Sequence, residues 1–166
     1  MKTQPSTQAV SVPSGEPVGC SAKKLRQLSR RASQHFDLIV ARAGLKTTQY
    51  SLLSQIMALG PIRPGDLARV MEMDASTLTR NLQPLVLQEW VSIGPGEDGR
   101  SRLVAITALG REKRALSQRE WKRAQTAFNE RLGRELVGRL HAVIDECLVQ
   151  LNREAEAEEE EEEEVA

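Results

Sequence analysis

From Ser21 onward the chain keeps a helical hydrophobic period almost throughout, and it leaves that period once, between Trp90 and Ile106. Two short runs lie there, Trp90-Val91-Ser92-Ile93 and Arg102-Leu103-Val104-Ala105-Ile106. They flank the turn Gly94-Pro95-Gly96-Glu97-Asp98-Gly99. Apolar runs of this length around a Gly/Pro cluster predict a β-hairpin. A parallel sheet needs strands and helices in alternation, and no such alternation occurs. The fold expected is therefore mainly α, with one hairpin set among helices.

Helix ends can be read from capping residues. Leu25, Leu28, Ala32, Phe36 and Ile39 recur at spacings of three and four and predict a first helix from Ser21, closed by Gly44 in the left-handed C′ role. Thr47 or Thr48 is the expected cap of a second helix, which would bury Tyr50, Leu53, Ile56, Met57 and Leu59 and stop at Gly60-Pro61. Pro64 suits the first turn of a third helix, with Leu67, Ala68, Val70 and Met71 inward and Asp66 favoured by the positive helix end. Asp74 and Ser76 are candidate caps of a fourth helix with Leu78, Leu82, Leu85 and Val86 inside. Pro84 removes a backbone donor from that helix and is expected to kink its second half. After the hairpin, Thr107 caps a long helix from about 108 to 132 carrying Leu109, Leu116, Ala124 and Phe128. Gly133 breaks it. A last helix carries Leu136, Leu140, Val143, Ile144, Cys147 and Leu151.

The ends of the chain differ in kind from this body. Residues 1–20 are rich in Thr, Ser, Pro, Gln and Gly and bury too little to offset ordering, so a disordered arm is expected. Residues 154–166 hold nine of the 23 acidic residues, leaving 14 acids against 23 bases in residues 1–153, a body of +9 under a formal net charge of zero. Clustered like charges predict an acidic disordered tail. No apolar stretch reaches the roughly 18 residues of a membrane span and no apolar leader is evident, so a cytoplasmic location without membrane partners is expected. Cys20 and Cys147 form no CxxC pair, and His35 and His141 stand alone, so neither a metal site nor a cofactor is expected.

Function is suggested by the third and fourth helices. Two short helices joined by a tight turn form a helix-turn-helix, whose second helix reads base edges in the major groove with its first turns. Ser76, Thr77, Thr79, Arg80 and Asn81 have the chemistry for this: Arg pairs with guanine, Asn with adenine, and Thr offers a hydroxyl and a methyl. The hairpin would be a wing whose basic residues Arg100 and Arg102 approach the minor groove and phosphates, with Asp98 paired across Gly99 to shape the turn; Asp98, Arg100 and Arg102 are the DNA-site residues expected there. A basic body agrees with double-stranded DNA as partner. An enzyme is not expected: no Ser/His/Asp set, phosphate loop or close carboxylate pair is found.

Residues 74–82 (Asp-Ala-Ser-Thr-Leu-Thr-Arg-Asn-Leu), Trp90-Val91, the wing motif Asp98-Gly99-Arg100 and the segment Ile106-Thr107-Ala108-Leu109-Gly110 together resemble the multiple-antibiotic-resistance regulator (MarR) family. The resemblance spans about residues 22–152. It implies a winged helix-turn-helix domain over 47–107 and a helical dimerisation region formed by 21–46 and 108–153. It further implies a homodimer on a pseudo-palindromic site, repression as the default, and release by a small phenolic or carboxylate effector. Arg30, His35, Arg42, Tyr50 and Trp121 are the residues chosen to line an effector crevice. Two alternatives stay open: a thiol-based redox sensor using Cys20, and a winged-helix module that binds protein. Arg63, in place of a Ser or Thr cap, and the Glu tail depart from the family pattern.

Overall fold

The computed structural model describes residues 18–96, 99 and 101–165, with side chains through Arg153. Its elements run α1 (Ser21–Val40), a 3-10 turn (Ala41–Ala43), α2 (Thr47–Leu59), α3 (Pro64–Val70), α4 (Ala75–Leu87), β1 (Val91–Pro95), β2 (Arg102–Ile106), α5 (Ala108–Leu132) and α6 (Arg134–Val165). The fold is mainly helical with one antiparallel hairpin, as the hydrophobic periods predict.

The winged domain closes around its own core. Leu52, Leu53 and Ile56 of α2 meet Leu67 of α3, Leu78 and Leu85 of α4, and Val91 and Val104 of the hairpin, all nearly or fully buried. Ile62, between α2 and α3, exchanges two backbone hydrogen bonds with Val104, donating at 3.0 Å and accepting at 2.8 Å. This bridge ties the loop before α3 to the outer side of β2 and anchors the helix-turn-helix on the wing.

Two turns in this domain use glutamate where glycine is usual. Glu72 after α3 and Glu89 after α4 have φ of 51° and 57°. Each sits at C′ of a Schellman motif: Met73 N–H donates to Ala68 O at 2.9 Å, and Trp90 N–H to Leu85 O at 2.9 Å. The left-handed backbone costs a β-carbon residue roughly 1–2 kcal/mol, which the two closing bonds of each motif offset in part. No glycine signals either turn in the sequence.

Several burial expectations are corrected. Leu59, Val70 and Val86 were expected inside and are exposed, as are Leu109 and Leu116 of α5. Leu59 and Val70 lie at or beside the last residue of their helices, beyond the reach of the core. Val86 sits one step around the helix from Leu85 and faces outward. Lys46, not Thr47 or Thr48, is the N-cap of α2; Asp37 of α1 instead accepts from Thr47 N–H at 2.7 Å, a cap supplied from ten residues earlier. Cys147, expected in the core, is exposed, because among the described residues nothing covers its position on α6. β1 continues through Gly94 and Pro95, which were read as turn, pairing Pro95 with Arg102. The backbone of α6 is helical through Val165, and Glu is a good helix former.

Candidate nucleic-acid interface

α4 begins with a polar knot. Asp74 caps it: Oδ1 accepts from Thr77 N–H at 2.8 Å and from Ser76 Oγ at 2.6 Å, while Oδ2 accepts from Thr77 Oγ1 at 2.7 Å. The Ser76 hydroxyl first, then the hydroxyl and amide of Thr77, hold this carboxyl far below the ordinary carboxylate range. The cap is thus fully ionised at neutral pH and satisfies an orphan donor of the helix end. Arg80 lies back along this turn, its Nη2 at 3.3 Å from both Ser76 Oγ and Thr77 Oγ1. Those contacts are long and exposed, so the guanidinium can leave them at small cost.

The structure divides the five residues chosen as base readers. Ser76, Thr79 and Arg80 are exposed, on one face with Gln83, as the i, i+3, i+4, i+7 spacing requires. Thr77 and Asn81, also four apart, are half-buried on a neighbouring face. Thr77 is committed to Asp74, and Asn81 Nδ2 lies 3.7 Å from Met73 Sδ. Thr79 keeps its hydroxyl on Ala75 O at 2.8 Å. Gln83 is not among those five, yet the spacing that places Ser76 and Arg80 on this face places it there too.

On the wing, Arg102 is exposed at the start of β2, while Asp98 and Arg100 lie outside the described residues. Between α4 and β1 runs a groove of about 530 Å³, with Leu82, Val86 and Ile93 on its walls and Thr79, Gln83 and Arg102 as polar groups.

The five residues chosen for an effector crevice are not gathered into one site. Tyr50 stacks on Trp121 with ring centroids 5.9 Å apart, under the Arg114 guanidinium. His35 Nε2 lies 3.0 Å from Ala124 O, and its ring packs on Phe36 and Phe128. It also borders a cavity of about 420 Å³ between α1 and α5. Arg30 and Arg42 are exposed on α1 and the turn after it. Cys20 is the exposed N-cap residue of α1, and its side chain makes no cap bond. Among the described residues no group of three His, Cys, Asp or Glu side chains could hold a metal, and no helix is long and apolar enough to cross a membrane.

A hairpin packed behind a helix-turn-helix, with the second helix presenting an exposed Arg, Thr and Gln face, defines a winged helix-turn-helix DNA-binding protein. Comparison with known proteins narrows this. The family model described as MarR family matches residues 43–101. The uncharacterized HTH-type transcriptional regulator YwoH of Bacillus subtilis is 30% identical over 95 residues, covering 53% of this chain and 69% of that protein. A mutant of MarR from E. coli, solved with operator DNA, superimposes with a TM-score of 0.70 at 20% identity, over 76% of this chain and 92% of that one. The M. tuberculosis transcriptional regulator MOSR, solved with DNA, gives a TM-score of 0.62 at 26% identity, over 78% and 98%. The chain belongs to the MarR family of winged helix-turn-helix transcription regulators, which are not enzymes.

Proposed function

We propose that the protein acts as a homodimeric repressor, placing two α4 helices in successive major grooves of a pseudo-palindromic operator. The observation that carries this reading is the exposed face of Ser76, Thr79, Arg80 and Gln83 on a capped helix, combined with an uncovered apolar face on the framing helices. That face includes Leu25 and Leu28 of α1, and Leu136, Val143, Ile144 and Leu151 of α6, between 37% and 62% exposed. A patch this large marks an interaction surface. A second copy, carrying the same face, is the partner that a two-fold operator requires. MOSR, a structural neighbour solved with DNA, supports DNA as the ligand.

In this reading Arg80 swings from the hydroxyls of Ser76 and Thr77 onto a base edge, Thr79 offers its methyl to thymine, and Arg102 meets the backbone and minor groove. Binding takes place in the cytoplasm, where the genome lies. The effector is a small phenol or carboxylate. The groove between α4 and β1 is apolar with Arg102 and Thr79 at hand, which suits a planar anion, and an occupant there would sit beside the reading face.

A gel-shift titration against DNA upstream of its own gene and the neighbouring divergent gene, at two salt concentrations, tests the reading. A sharp, sequence-selective complex that weakens with salt and dissolves on adding salicylate-like compounds supports it. Equal, weak binding to every duplex, abolished by salt, contradicts it and favours a winged helix that docks on protein.

A further inference from the structure

The start of α5 is fastened to the winged domain at several points within two turns. Only Thr107 separates β2 from α5, and it caps the helix through Gly110 N–H at 2.9 Å. Its hydroxyl faces Glu89 O at 2.7 Å and Trp90 O at 3.2 Å, and its N–H donates to Trp90 O at 3.1 Å. One turn on, Gly110 lies against the same carbonyl: a β-carbon there would stand 2.0 Å from Trp90 O and 2.9 Å from Ile106 Cγ1, an overlap that no small shift relieves. Lys113 then places Nζ 4.9 Å above the Trp90 ring, with a β-carbon at Gly44 only 3.0 Å away were one present. Arg114 reaches the opposite side, donating from Nε to Ser54 Oγ at 3.3 Å and lying over Tyr50, while Gln118 steadies it at 3.0 Å.

These anchors grip two different elements. Trp90 is the closing residue of the α4 Schellman motif, hydrogen-bonded to Leu85 O, so a hold on Trp90 is a hold on the C-terminal end of the recognition helix. Ser54 and Tyr50 belong to α2, which carries the rest of the winged core. Fixing a body at two separated places leaves only rotation about the line joining them, and the Thr107 connection with its hydrogen bonds opposes that rotation. α4 therefore has no hinge about α5, although a single connecting residue would otherwise provide one.

We infer that Gly110, Lys113 and Arg114 are positioning residues that set the angle of the recognition helix on α5, and through it the half-site spacing that the dimer accepts. This rests on the proposed reading as a homodimer on DNA. None of the three needs to touch DNA for it. Each inserted base pair moves a half-site about 3.4 Å along and roughly 35° around the duplex, so a rigid mount penalises any spacing but its own, whereas a loosened one tolerates several.

The test uses the full chain on a set of duplexes that share one half-site sequence and differ only in spacing, with Lys113→Met/Arg114→Met as the variant. Methionine keeps the aliphatic stems and removes both cations. The wild type is expected to lose at least about tenfold in affinity one base pair from its optimum, a difference of about 1.4 kcal/mol. The double variant should lose less than about threefold, with the same base preference within each half-site and the same dimer mass. Gly110→Ala, which must displace Trp90, should move the optimum itself; should it fail to fold, the double variant decides alone. A double variant with the wild-type spacing profile overturns the inference, as does one whose half-site preference changes while its spacing profile does not. Failure of the underlying reading looks different: the wild type itself would then show no selective binding at any spacing.

Discussion

The winged domain and the helices that frame it treat their apolar residues in opposite ways. Within 47–107, Leu52, Leu53, Ile56, Leu67, Leu78, Leu85, Val91 and Val104 are all sealed inside one chain. On α1 and α6 the apolar stripe is mostly open; beyond the packing around Ala124 and Val137, it includes Leu25, Leu136, Val143, Leu148 and Leu151 on the surface. Both regions show equally clean helical periods in the sequence. The difference teaches that periodicity reports only that a face is to be buried, not which chain buries it. One region is a finished module that displays polar chemistry; the other leaves its apolar face open, and under the proposed reading a second copy covers it.

Breaking the unfinished region should have the largest effect. Ile144→Glu with Leu148→Glu places two charges on the open face and is expected to leave a folded monomer. Operator affinity should fall by about 10² or more, because the gain from coupling two sites is of order 10²–10⁴; light scattering and gel shift together check it. An unchanged mass would assign that face to something else.

Breaking the finished region should cost stability instead. Leu53→Ala empties a fully buried site in the winged core and is expected to lower unfolding free energy by about 2–5 kcal/mol, seen in chemical denaturation. The comparison sharpens if Leu136→Ala, on the open face, changes the stability of a monomeric variant far less.

The displayed chemistry should respond without either loss. Arg80→Ala is expected to cost about 1–3 kcal/mol of discrimination between operator and non-operator DNA, with melting temperature and dimer mass preserved. Competition binding against shuffled duplex measures it.

The smallest effect belongs to the cap. Asp74 has a folded-state pKa held below its unfolded value of about 3.9, so its stabilisation is complete above that value and is lost as pH falls through the folded one. Asp74→Asn should therefore lower the melting temperature by the same amount at every pH from 5 to 8. The gap should close only in strong acid. A gap that grows on acidification would show that the cap hydrogen bonds are not what holds the carboxyl down.

Much of this was legible because the residues involved act locally. Thr107, Gly133 and Pro64 sit where their capping and turn chemistry predicts, Gly44 is left-handed as expected but ends the 3-10 turn and not α1, which stops at Val40, and the hairpin is signalled by its own turn. What escaped was set by distant partners. The cap of α2 comes from Asp37, which no local pattern reveals. Glu72 and Glu89 adopt left-handed turns because tertiary packing fixes the helices on either side. Thr77 and Asn81 are the local exceptions: both have the chemistry of base readers, yet one is held by the cap Asp74 three residues back and the other faces Met73. Lys113 and Arg114 read as ordinary solvated cations until α5 is laid against Trp90 and Tyr50.

The central claim is that two incomplete helical faces join to hold two complete reading modules on one piece of DNA. Sedimentation velocity of the full chain with a selected operator duplex tests it most directly. The account predicts a dimer without DNA and one complex of two chains per duplex, formed without a detectable one-chain intermediate. A monomer that binds single half-sites independently, with equal affinity for isolated and paired half-sites, would contradict it.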